Sequence, residues 1–130
     1  MRTAEQVRAE LDALEAIQAL LAAIAVRTDP ERRHELVQLR KRLAGQIMAV
    51  GDACECLFAS DALGLAEFRR RYSAMRSATA LHQAEWPAVR LGEVDDLYRQ
   101  SALRARQANG VFANWLRARL GDQAPQGDGR

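Results

Sequence analysis

Apolar residues recur along this chain in steps of three and four. Between residues 36 and 57 they fall at Leu36, Leu39, Leu43, Ile47, Val50, Cys54 and Leu57. Such positions become neighbours only on an α-helix, where 3.6 residues complete a turn and the series shares one face. Three further stretches carry the same signature. The first holds Val7, Leu11, Leu14, Ile17, Leu21 and Ile24. The second holds Leu65, Phe68, Tyr72, Met75, Thr79 and His82, and the third Val94, Tyr98, Ser101, Ala105, Ala108, Phe112 and Trp115. Each helix buries one stripe and needs others to bury it against.

The punctuation between stripes sets the boundaries. Thr28-Asp29-Pro30-Glu31 offers a capping box from Thr28 to Glu31, or an Asp29 cap with Pro30 in the first turn. Ser60-Asp61 and Gly64 mark a second turn. Pro87 lacks an N–H and disfavours the α conformation at Trp86, so a kink or break is expected there. Leu91-Gly92 closes the next loop. The spacing predicts helices over about 3–27, 30–59, 62–85 and 93–120. Short connections make successive helices antiparallel neighbours, so the expected fold is all-α, an antiparallel up-down four-helix bundle. Residues 1–120 form its single domain, and 121–130, without an apolar anchor, are expected to be a disordered tail. Gly45 and Gly51 sit inside the second helix, where glycine costs roughly 1 kcal/mol relative to alanine; each permits close approach by a neighbour or is simply tolerated. The small middle of the fourth stripe (Ser101, Ala105, Ala108) is expected to let a helix approach, with Tyr72 and Met75 filling the space opposite.

Composition narrows the class. With 130 residues, 48% of them hydrophobic, the chain can bury a core without disulfides or metals. A net charge of +2 is too small and too dispersed for a typical nucleic-acid binder. Charged residues interrupt the N-terminal region where a secretory core would lie, and the run from 16 to 26 is too short to span a bilayer. Every basic residue but Lys41 is arginine, which suits a GC-rich bacterial genome. The expectation is a bacterial, cytoplasmic protein off the membrane.

No catalytic motif matches the strength of the helical pattern. Glu31-x-x-His34 has one of the two motifs a di-iron bundle requires, without the two further glutamates. Cys54 and Cys56 lack a second ligand pair for zinc, so no cofactor and no metal is expected. His82 stands out because it lies on an apolar stripe. With Thr79, Trp86, Tyr72 and Tyr98 it could line a polar pocket. Arg69, Arg70 and Arg76 form a candidate anion-binding cluster. The leading expectation is a non-catalytic adaptor, regulator or chaperone-like protein acting through protein–protein contacts. It would form a homodimer or take a helical partner through Leu20, Ile24, Leu97, Val111, Leu116 and Leu120. The rival is a small-ligand-binding or enzymatic bundle centred on His82 and Trp86.

Overall fold

The computed structural model describes residues 3–92 and 95–121. Within them the chain forms α1 (Thr3–Ile24), α2 (Arg32–Leu57), α3 (Ala62–Glu85), a single 3₁₀ turn at Ala88–Arg90, and α4 (Asp95–Leu120). Cross-helix hydrogen bonds fix the directions. Arg8 near the start of α1 donates to the Leu120 carbonyl at the end of α4 (3.0 Å), and Arg99 near the start of α4 donates to the Ala25 carbonyl just past α1 (3.2 Å). Tyr72 of α3 reaches the Ile47 carbonyl of α2 (2.8 Å). All four helices are therefore antiparallel to their neighbours, as the short loops dictate. Packing is closest within the hairpins α1–α2 and α3–α4, and sparser where the hairpins meet.

Helix ends differ from the sequence expectation where side chains found other partners. Past Ile24 the backbone tightens into i→i−3 bonds through Arg27. The Thr28 capping box does not form: α2 begins after Glu31, which makes no side-chain cap bond. The Asp29 carboxylate instead receives Arg27, which also pairs with Glu35. This two-carboxylate clamp replaces the cap. Asp61, by contrast, caps α3, its Oδ1 accepting from the Gly64 N–H at 2.9 Å. At Pro87 the helix stops outright. The Trp86 N–H still bonds the His82 carbonyl, and Pro87 is extended at φ −60° and ψ 153°. Gly121 ends α4 with a φ of +82°, the left-handed value glycine adopts freely. The expected tail beyond it and the start expected at 93 lie outside the described residues.

The core is divided. The larger cluster holds Val7, Leu11, Leu14 and Ile17 of α1, Leu43, Ile47, Val50, Ala53 and Cys54 of α2, Phe68 and Met75 of α3, and Phe112 and Leu116 of α4. The smaller one, at the opposite end, joins Ile24, Leu36, Leu39, Trp86, Leu91 and Tyr98. Partly buried Leu21 packs against both. The two glycines of α2 have different roles. A Cβ on Gly51 would stand 2.5 Å from the Tyr72 hydroxyl and 2.7 Å from its Cζ, whereas one on Gly45 would meet nothing within 4 Å. Gly51 makes room for an aromatic ring, and Gly45 is merely tolerated. Among the described residues no helix is long and apolar enough to cross a membrane, and no cluster of His, Cys, Asp or Glu could hold a metal ion.

Candidate functional site

A cavity of about 240 Å³ lies where the apolar packing is interrupted, with walls from all four helices. It exists because the facing side chains are short. Ala22 on α1 and Ala25 just past it line the space with Ala102 and Ala105 of α4, and the hairpins do not close the gap. The sequence expectation was close approach at this small-residue stretch, with Tyr72 and Met75 filling the space. Both instead belong to the larger core or pack against it. The exposed side chains Val26, Arg99, Leu103 and Arg106 rim the cavity between α1 and α4. A second hollow of about 230 Å³ lies between α2 and α3 and shares Leu43, Thr79 and Gln83 in its wall.

Of the expected pocket residues, Thr79, His82 and Tyr98 line the cavity together. Trp86 supports it from behind, its ring edge-on to Tyr98 at 5.8 Å and covered by the Arg90 guanidinium at 4.3 Å. Tyr72 is elsewhere, its ring tilted against Phe68 in the larger core. His82 packs 5.6 Å from Tyr98, and its Nδ1 shares a 2.7 Å hydrogen bond with the Ser101 hydroxyl. Burial, reinforced by the positive charges of Arg40 and Arg104, lowers the His82 pKa to about 4. The ring is therefore neutral in the folded protein at neutral pH.

That shift has a measurable consequence. The folded value lies below the ordinary 6.5, so between pH 6.5 and 4 the unfolded chain binds the extra proton and the folded chain does not. Stability from this group is complete above pH 6.5 and declines as pH falls towards 4. The expected decline is on the order of 1–2 kcal/mol after allowance for solvent screening. Urea titrations across that range should show the slope in the wild type and a flatter profile in His82→Gln. Identical profiles would assign the pH dependence to other groups.

Two cavity residues escaped the sequence reading. Arg40 places its Nη2 in the interior without a hydrogen-bond partner, and Asn109 does the same with Oδ1. The orientation of the Asn109 amide is fixed chemically. Its nitrogen donates to the Ala105 carbonyl (2.8 Å) and to Thr79 Oγ1 (3.1 Å), and a backbone carbonyl can only accept. Burial depresses the Arg40 pKa. Among the described residues the wall contains Arg40, Arg99 and Arg106 and no carboxylate.

The other expected sites are differently placed. Arg69 pairs with Glu55 at 2.7 Å, Arg70 and Arg71 both pair with Glu67, and Arg76 lies over the Tyr72 ring. Carboxylates thus occupy Arg69 and Arg70, and the three do not form one anion site. On the expected interaction surface, Leu20, Leu97 and Val111 are exposed, and Leu120 is half-buried against the larger core. Ile24 and Leu116 are 1% and 0% exposed. The monomer's own core consumes them, which corrects their assignment to a partner surface. Cys54 is buried, its thiol pushed up to about 12 by desolvation, and Cys56 is exposed; both are free thiols. His34 is exposed on α2. No family model, no curated protein and no solved structure matches this chain, so these side chains alone carry the assignment of a role.

Proposed function

We propose that this bundle binds a small molecule in the cavity between its two cores and performs no covalent chemistry on it. The observation that carries the reading is the buried, unpartnered Arg40 Nη2 in the wall of a mostly apolar cavity. A desolvated donor without an acceptor costs free energy that a ligand can recover. Apolar walls with a few convergent polar groups are the usual make-up of small-molecule sites. The Ser101–His82 pair supports binding rather than catalysis. Ser101 is buried and does not line the cavity, and among the described residues no carboxylate bonds the histidine. A serine nucleophile needs access to substrate and an oriented base.

A second reading, self-association as a homodimer, is favoured by the exposed apolar residues of α1 and α4, namely Leu20, Leu97, Leu103 and Val111. One measurement separates the two. Native mass spectrometry of the purified protein should show a small-molecule adduct on the single chain. Ala105→Leu, which fills the cavity, should lose that adduct. A two-chain particle with no added mass would favour self-association and overturn the ligand reading.

A further inference from the structure

The ligand-binding reading leaves open what the cavity holds, and its polar groups narrow the choice. Four observations bear on the chemistry. The walls are largely hydrocarbon, from Leu21, Ala22, Leu36, Leu43 and Ala102. The ionisable groups facing the space are arginines, a neutral histidine and a tyrosine, and among the described residues no carboxylate lines it. Arg40 Nη2 is buried and unpartnered. At the rim Arg106 is exposed, and Arg99 is already engaged by Asp96 at 3.2 Å and by the Ala25 carbonyl.

Asn109 Oδ1 is a neutral acceptor and calls for no counter-charge. Arg40 differs because water does not neutralise a charge. A guanidinium presents a planar fork that fits a carboxylate by two parallel hydrogen bonds. One partly desolvated guanidinium balances one negative charge. A dianion such as phosphate would carry a second charge into walls that offer it mainly hydrocarbon. At about 30 Å³ for each water-sized group, the 240 Å³ available holds on the order of eight such groups.

We propose that the cavity takes a monocarboxylate with an apolar body of medium length, its carboxylate paired with Arg40 and its body in the gap between the two cores. This rests on the ligand-binding reading and adds the charge and class of the ligand. Arg106 at the rim attracts the anion, and the half-buried Arg40 retains it. Thr79 and Asn109 hold each other through the 3.1 Å bond, so the floor beside the headgroup is already ordered. Neutral His82 adds no second positive charge there at neutral pH.

Calorimetric titration of the full chain at pH 7 with octanoate, 1-octanol and octylamine tests the assignment. These probes share a body and differ in head. Octanoate should bind at least tenfold more tightly than octanol, and octylammonium more weakly than either. Arg40→Met keeps the side-chain volume similar and removes the charge. It should bring octanoate down to the level of octanol while leaving octanol binding unchanged, which shows the cavity intact. Equal binding of octanoate and octanol by the wild type would overturn the carboxylate assignment and leave the cavity reading standing. Undiminished octanoate binding by Arg40→Met would overturn it as well, placing the anion on the rim. No binding of any probe would sink both readings.

Discussion

Truncating Phe112 to alanine is expected to remove about 3–5 kcal/mol of stability, the range for deleting a fully buried aromatic ring. A domain of this size has roughly 5–15 kcal/mol in total, so this one change should bring the fold close to its threshold. Phe112 is 1% exposed, and its ring lies 6.2 Å from Phe68, 5.9 Å from Tyr72 and 6.4 Å from Trp115. It joins α4 to the larger core, which draws residues from both hairpins. Deletion forfeits the transfer free energy of the ring and leaves a hole that four rigid helices cannot close. Urea unfolding measures the loss, with Leu103→Ala as control. Leu103 is 54% exposed, and its truncation should stay within about 0.5 kcal/mol. A loss below about 1 kcal/mol at Phe112 would mean that the hairpins are held together elsewhere.

Replacement of Arg40 by methionine is expected to act in the opposite direction, raising the stability of the ligand-free protein by about 1–3 kcal/mol. Most substitutions destabilise, so the sign itself is informative. The wild-type guanidinium is partly desolvated with an unpartnered Nη2, and among the described residues no carboxylate lines the space it faces. An apolar side chain of similar length keeps the volume in the wall and removes the unpaired charge. Greater stability coupled to lost binding is the signature of a residue kept for function rather than for folding. Thermal and urea unfolding should both report it. A drop in stability would show that Arg40 is a structural element and would withdraw the main support for the ligand site.

The helices and their order were legible because burial imposes a period. Leu36, Leu39, Leu43, Ile47, Val50 and Cys54 are all buried as their spacing requires. Pro87 stopped α3 for the chemical reasons visible in its ring. The site was harder to read because its polar residues lie on those same stripes. Arg40 stands between Leu36 and Leu43 at steps of four and three, in the position of an apolar residue. On α4 the buried face runs through Ser101, Asn109, Phe112 and Leu116, whereas the stripe read from the sequence passes from Ser101 through Ala105 and Ala108 to Phe112 and Trp115. Following position rather than hydrophobicity would have found Asn109. The cavity itself has no local signature. It depends on alanines from α1 and α4 facing one another across the bundle, a pairing that becomes visible only in three dimensions. The Asp29 cap failed for a different reason: Arg27 takes its carboxylate in a charge-assisted pair, and such contacts depend on side-chain reach rather than spacing.

The Tyr72 ring seated over Gly51, with its hydroxyl on the Ile47 carbonyl, works as a dowel between two parallel timbers. It pins the axial alignment of α2 against α3. Arg40 lies eleven positions before Gly51 on the same rod, roughly 16 Å away at 1.5 Å per residue, and His82 lies ten positions beyond Tyr72 on the other. The meeting of guanidinium and imidazole across the hollow is thus gauged by a peg at the far end of the barrel, and a bulkier residue at Gly51 would slide the binding groups out of line without touching them.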